Sequence, residues 1–545
     1  MKLPKKHDPF KEDIEKITKE LANENSPKLD ENEQKEHFEK IKENLPQLES
    51  EIKELIDSLK ADISNCNARQ ILDYFGVYYG LSSPETVTKD IDTDKNFKLD
   101  YIHSLVTAIG SLDNKDCSEE TLNNIEGTIE KLKMKSIVYL MLTSDHNGEP
   151  NEVKFRQATH NMFVRGDSYS EHKIQMCKEL FSKFDEVLRG EYSITSDELI
   201  EELIRIANYP VTNNEQSQQN EIIDILIEEA SKTDLVIPSF LNMEEITSAW
   251  KNNFQKPVDS ISKILETSLH QKILEQLSIK IGENIEFQKG KIEYFPTNDT
   301  AIYDKPIVNI ENEHYCFNSA LIYYNLHSLL ENIILGIVPE DRHQKHYYKK
   351  KGEYLEDKSL ELFQKILPDC KVYKNLKYGI DDEVDGVVIY DNHIFIIEAK
   401  SNKFTLGAKK GNVDKIKTNT KDIVEKAYQQ AIRAKKYILS NDSVEFRDKN
   451  KKVVLTINRE KINSIFLINT TLEPLNHITT NLTSLKEFGF IQDDEWIWSV
   501  YLNDLRIISE ILELPSEFLV YVERRIKHND YPQIKMTEEI DIGHL

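Results

Sequence analysis

Asp385 is followed, after twelve intervening residues, by Glu398, Ala399 and Lys400, and these two carboxylates and an amine are the clearest chemistry the chain offers. They lie in DEVDGVVIYDNHIFIIEAK, residues 382 to 400, where apolar and β-branched residues run from Val384 to Tyr390 and again from His393 to Ala399. Neighbouring carboxylates repel, and burying either charge uncompensated costs roughly several kcal/mol, so a positive group belongs between them. Oxygen donors favour Mg2+ or Mn2+, which keep waters and accept phosphate oxygens as further ligands. A cation so held would acidify a water and offset charge on a phosphate, while Lys400 would orient that water or contact the phosphate. A surface pair between Glu398 and Lys400, with Asp385 capping a turn, would use the same residues. Matched charges on otherwise apolar strands weigh toward the metal site.

The elements that must position these groups are visible in the pattern. The two apolar runs flank Asp391-Asn392, a pair suited to a tight turn, which predicts an antiparallel hairpin. Residues two apart on a strand share a face, so Glu383 goes with Asp385 and Glu398 with Lys400; the hairpin brings Asp385 back toward Glu398. Upstream, a helical segment opens at Gly352 and ends near Leu367, with Glu356 in its first turns, and residues 372 to 378 read as a further strand. Downstream, AYQQAIRAKKYIL (427 to 439) reads as a helix carrying Gln429 and Gln430, and residues 462 to 469 as a last strand.

Asp385 with Glu398-Ala399-Lys400 resembles the D…ExK core of the PD-(D/E)XK, or restriction-endonuclease-like, nuclease superfamily, and the run IIEAKS is most similar to its nuclease-related, NERD-like branches. Val384 stands where the superfamily's name has proline. The resemblance covers roughly a quarter of the chain. It implies an αβββαβ core and a Mg2+ or Mn2+ ion held by Asp385, Glu398 and the backbone carbonyl of Ala399, with Lys400 positioning the attacking water. Glu356 matches the acidic residue of the family's first helix, holding a second metal or orienting waters, and Gln430, ahead of Gln429, matches its later glutamine. Glu383 is left as an extra ligand or a salt-bridge partner. The implied activity is hydrolysis of DNA phosphodiester bonds, endonucleolytic before exonucleolytic, and the implied setting is bacterial anti-phage or restriction-type defence.

The expected fold class is multidomain, α plus α/β: a large helical N-terminal region followed by a C-terminal restriction-endonuclease-like αβββαβ core. Residues 1–209 read as the acidic helical region, 222–340 as a mixed helical connector, 341–530 as the nuclease domain and 531–545 as an acidic, disordered tail. The polar stretch PVTNNEQSQQNE (210 to 221) reads as a linker. Phe38, Ile41, Leu45, Leu48, Ile52, Leu55 and Leu59 form a heptad seam, read as intramolecular packing before a dimeric coiled coil; Pro46 within it starts or kinks a helix. In the connector, 285–288, 292–295 and 306–317 read as strand-like and 320–337 as an apolar core helix.

The net charge of −25 is unevenly spread. Residues 1–340 hold 37 basic and 62 acidic side chains, whereas residues 341–470 hold 27 and 19, so the proposed catalytic region is basic. Just after the ExK strand, residues 402–421 read as a flexible glycine-containing loop whose Lys403, Lys409, Lys410, Lys415, Lys417 and Lys421 would grip DNA. Lys349, Lys350 and Lys351 read as a second contact or a solvated helix end, and His343 and His346 lack an acidic or cysteine partner at metal spacing. Five scattered cysteines without a CxxC pair argue against a zinc site or disulfide framework, and no apolar run is long enough to span a membrane. A cytoplasmic location is therefore expected. No GxxxxGK[ST] motif offers an ATPase. The acidic helical region is expected to control cutting or recruit a regulatory protein partner, with a homodimer left open. A nonenzymatic nucleic-acid sensor, or a protein-binding scaffold on a nuclease-like fold, is the alternative reading.

Overall fold

A computed structural model describes residues 40, 42–80, 93–146, 149–150, 152–164, 166, 168–208, 258–264, 269–487, 489–491, 495–531 and 539. The chain divides into two compact units, one built from 144–157 and 348–545, the other from 44–143 and 158–347. The helical segments on either side of the expected linker thus share one unit, while residues 210–221 themselves lie outside the described residues.

That helical unit follows its apolar periodicity. Ile52, Ile56, Leu59 and Ile63 form the buried stripe of Leu45–Ser64, which packs along Glu119–Thr143, and Lys135 Nζ donates to Glu51 Oε2 across the pair. The seam therefore packs within the chain from Leu45 onward; Phe38 and Ile41 lie outside the described residues. Pro46 sits in the first turn, where its missing N–H has no helical partner to lose. Glu198 Oε2 accepts from the Thr195 backbone and hydroxyl, both at 2.8 Å, closing a capping box at the start of a helix over 196–208. Two strand readings fail here. Ile285–Gln288 forms a 3-10 turn, and residues 292–295 form no strand; the small sheet uses Ser278–Lys280, Ile307–Ile310 and Glu313–Tyr315. The apolar helix is Ala320–Ile337, and His343 Nε2 lies 3.0 and 2.7 Å from the Leu335 and Val338 carbonyls, finishing that helix rather than ligating metal.

The second unit is a seven-stranded mixed sheet between helices. Its elements are α1 (Lys349–Ile366), β1 (Lys371–Tyr378), β2 (Asp382–Tyr390), β3 (His393–Lys400), α2 (Lys426–Ser440), β4 (Ser443–Arg447), β5 (Val453–Asn458), β6 (Ser464–Thr471), β7 (Trp498–Tyr501) and α3 (Pro515–Lys527). The strand order is β5-β4-β1-β2-β3-β6-β7, with the β3–β6 and β6–β7 pairs parallel and the other pairs antiparallel. Compared with the expected αβββαβ order, the chain inserts the β4–β5 hairpin between the second helix and the parallel strand. It attaches to the β1 edge through Lys377 and Arg447.

The β2–β3 turn places Asp391 and Asn392 both at positive φ, 44° and 67°, the backbone a two-residue hairpin needs for its twist to match the strands. The helices cover opposite faces. Ala427, Tyr428, Ala431 and Ile438 of α2 join Val387, Ile394 and Ile396 in one core, while Phe363 of α1 and Phe518 of α3 stack around Phe395 on the other side. Glycine at 386 allows α1 to lie close. A Cβ there would sit 2.7 Å from Leu360 Cδ2.

Of the expected disordered tail only residues 531 and 539 are among the described residues. Glu539 is buried, receiving bonds from Arg525 Nε at 2.9 Å, Trp498 Nε1 at 2.9 Å and Tyr521 OH at 2.7 Å. A buried carboxylate is stable only with such donors, and these come from strand β7 and from one face of helix α3, where Tyr521 and Arg525 are one turn apart.

Gly386→Val should lower unfolding stability by about 1–3 kcal/mol through overpacking against Leu360, and Leu360→Ala in the same chain should recover part of it. Urea denaturation of the single and double variants measures this; an unchanged midpoint for Gly386→Val would mean that α1 retreats without cost.

Candidate active site

Backbone pairing between β2 and β3 ends at Gly386 and Ile397, and the next residues outward are Asp385 and Glu398. Asp385 there turns its carboxylate onto the neighbouring strand, where the Ala399 backbone N–H donates to Oδ2 at 2.9 Å. Lys400 Nζ lies 3.0 Å from Glu398 Oε2 and 3.5 Å from Asp385 Oδ2. The expected convergence of two carboxylates and one amine at adjoining strand ends is what the chain forms.

This strand end is held from its other side. Asn469, Thr470 and Thr471 of β6 pair with Glu398, Ala399 and Lys400 in parallel register, and all three are buried. Ser359 of α1 donates to the Leu355 carbonyl at 2.6 Å and bonds Thr470 Oγ1 at 2.8 Å, fastening the helix to the strand beside the site.

Glu398 has no solvent exposure, against 22% for the Asp385 side chain and 14% for Lys400. Burial first, and then the Asp385 charge, push the Glu398 carboxyl up to about 8, with Lys400 opposing. Burial works against the charged form of Lys400, but Glu398 and Asp385 together overcome it and hold the ammonium above its ordinary range. Glu398 Oε1 is buried and has no hydrogen-bond partner among the described residues. An unsatisfied carboxylate oxygen is costly to the fold and marks a place where a further ligand to that oxygen would be stabilised.

Glu356 on α1 is 21% exposed, and Lys374 Nζ of β1 lies 3.3 Å from its Oε2 and 2.5 Å from Oδ1 of Asp357. Burial and the Asp385 charge raise the Glu356 carboxyl, Lys374 opposing, so Glu356 lies within the field of the strand-end pair. Gln429 and Gln430 are half-buried on α2, and no hydrogen bond among the described residues joins Gln430 to Asp385, Glu398 or Lys400. Glu383 is exposed on β2 opposite Lys377.

The lysine-rich stretch after β3 is helical rather than a flexible loop. Leu406–Lys409 and Val413–Thr420 are helices, Asn412 Oδ1 accepts from the Lys415 backbone at 3.1 Å, and Phe404, Ala408 and Ile416 enter the core. Those three apolar residues anchor what their lysine neighbours made look solvated. Lys403, Lys415 and Lys421 are exposed; Lys410 and Lys417 are half-buried, and Lys409 pairs with Glu473 at 3.1 Å. Lys351 is buried rather than lying on a solvated helix end, and Lys349 pairs with Glu353 at 3.8 Å. The inserted hairpin adds a basic feature that sequence reasoning missed: its tip carries exposed Lys449, Lys451 and Lys452, and Asp448 accepts from the Asn450 and Lys452 amides, both at 2.9 Å. The signal was present in alternating Val444 and Phe446, then Leu455 and Ile457, around Asp448-Lys449-Asn450.

Among the described residues no group of three or more Asp, Glu, His or Cys side chains could hold a metal ion. The strand ends offer two carboxylates, one with an unpartnered buried oxygen, and this hard-oxygen set fits Mg2+ or Mn2+ when backbone carbonyl and water complete it. Among the described residues no helix is long and apolar enough to cross a membrane.

Residues 349–458 match the family model described as nuclease-related domain, NERD, consistent with a PD-(D/E)XK-like nuclease branch. The match runs from α1 through the β4–β5 hairpin, so the hairpin lies within the matched region. No curated protein and no solved structure matches the chain.

In metal-free protein, a carboxyl raised from 4.5 to about 8 keeps its proton in the folded state while the unfolded chain loses it, so stability should fall as pH rises from about 4.5 to 8. Glu398→Gln should remove much of that fall, on the order of a few kcal/mol. Unfolding in EDTA at pH 5, 6, 7 and 8 checks this, and parallel curves for the two proteins would reject it.

Proposed function

We propose that the chain is a metal-dependent nuclease that hydrolyses DNA phosphodiester bonds, with endonucleolytic cutting before exonucleolytic. The observation that carries this reading is the buried Glu398 carboxylate, with one unpartnered oxygen, set beside Asp385 and Lys400 in the segment that matches the nuclease-related domain.

Asp385, Glu398 and the Ala399 carbonyl would hold Mg2+ or Mn2+. When bound, the cation supplies positive charge against the phosphate and acidifies a water. Lys400 stays protonated between its two carboxylates, so its part is to donate hydrogen bonds rather than to act as a base: its remaining N–H orients the attacking water or a non-bridging phosphate oxygen. Ala399 N–H fixes the Asp385 carboxylate, and the β6 pairing keeps Glu398 from retreating. Gln430 and Glu356 complete the assignment carried over from the resemblance.

Lys403, Lys409, Lys410, Lys415 and Lys417 would contact the phosphate backbone, joined by Lys449, Lys451 and Lys452 of the hairpin. The excess of basic over acidic residues in 341–470 supports this surface, and the opposite balance of 1–340 supports a controlled enzyme that answers to a protein partner in cytoplasmic genome defence.

Supercoiled and linear DNA, single- and double-stranded, incubated with Mg2+, Mn2+ or EDTA should be cut only with metal. Lys400→Ala should slow cutting on the order of 10²–10³-fold, and Glu398→Ala with Lys400→Ala should abolish it while the variant stays folded. DNA binding without cutting under every metal condition would instead favour a nucleic-acid sensor.

A further inference from the structure

Glu356 and Asp357 are consecutive on α1, and one side chain from the sheet, Lys374 of β1, bonds both. Lys374 pairs across the β1–β2 ladder with Gly386, the residue next to Asp385. At the following position Asn375 takes a left-handed backbone, φ 52°, and the paired register resumes only at Leu376 and Val384. The close approach of α1 over Gly386 brings Glu356, one turn before Leu360, over this same point.

The two ammonium groups differ in what they leave open. Lys400 bonds Asp385 and Glu398 yet leaves Glu398 Oε1 buried and unpartnered. Lys374 has its shorter bond to Asp357, whose side chain is 59% exposed, and so has an anchor outside the Asp385–Glu398 pair while still neutralising Glu356. A cation recruited to Glu356 would have to displace that ammonium or sit beside it, and like charges at such distance in a partly dry site repel strongly.

We infer that Lys374 fills the cation position that Glu356 and Asp385 would otherwise form, so that the site takes one divalent ion, at Asp385 and Glu398, and Lys374 supplies the second positive charge. This rests on the metal-dependent reading above. Lys374 is a positioning residue acting through Glu356. Without it, Glu356 would stand unneutralised in a mostly buried place that the Asp385 charge further disfavours for a carboxylate, a cost that a proton or a cation relieves.

The test is Mn2+ binding to the full chain, followed by electron paramagnetic resonance of free Mn2+, with site ions counted as those lost on Asp385→Asn. Wild type should bind one, Lys374→Met two, Lys374→Arg one, and Lys374→Met with Glu356→Gln one again. The metal dependence of cutting should change in step, from simple saturation in wild type to a steeper, two-ion dependence in Lys374→Met. Two site ions in wild type would overturn the inference without any variant, as would a folded Lys374→Met that still binds one. Wild type binding no site ion would remove the metal-dependent reading itself, an outcome distinct from both.

Discussion

The sheet-containing unit is organised around one costly feature, the burial of the Glu398 carboxyl at the end of an apolar strand. A charge there is tolerable only if the surroundings supply compensation and cannot relax away from it. Lys400 supplies the charge. Rigidity comes from β3 being interior to the sheet, paired to β2 on one side and to β6 on the other. The parallel β6 pairing extends past the point where the β2 ladder stops, so Glu398 to Lys400 remain ordered while Asp385 is released from the ladder to turn onto the Ala399 amide. Proteins retain such unfavourable groups where function needs them, which is why the unpartnered Glu398 oxygen weighs more than the mere presence of an acidic pair.

Around that strand end the charges alternate. Glu398 and Asp385 share Lys400, and Glu356 and Asp357 share Lys374. Each lysine reduces the repulsion its carboxylates would otherwise feel, and each is set by a different element: Lys400 by the same strand as Glu398, Lys374 by a strand two places from it. Gly386 lies beneath α1, where an added Cβ would press on the Leu360 side chain one turn after Glu356.

Much of this was legible in one dimension because it is local. Val384 to Tyr390 and His393 to Ala399 form near-continuous apolar runs on either side of Asp391-Asn392, a pattern that predicts a tight hairpin, and that hairpin by itself brings Asp385 toward Glu398. The apolar spacing of α1 and α2 likewise marks both helices. The lysine-rich stretch was misread because charge dominates its composition, while Phe404, Ala408 and Ile416 are too sparse to announce a buried face until the sheet they pack on is known. The β4–β5 hairpin was missed because its short strands lie at an edge, where alternation is brief and flanked by polar residues. Glu539 looked like part of a solvated acidic tail, and only the gathering of Trp498, Tyr521 and Arg525 makes it a buried group.

By itself, then, the order of residues determined the strand hairpin, the flanking helices and the acidic and basic groups that the hairpin's geometry draws together, because each depends on contacts a few residues apart or across one turn. The tertiary structure alone decided which of those charges are buried, that Glu398 has an oxygen without a partner, and that Lys374 rather than another cation faces Glu356. The physical reason is that burial and pairing are properties of what surrounds a group from every side. For Glu356 those surroundings are Lys374, eighteen residues on, and Asp385, twenty-nine residues on, brought together only when a helix settles onto a sheet.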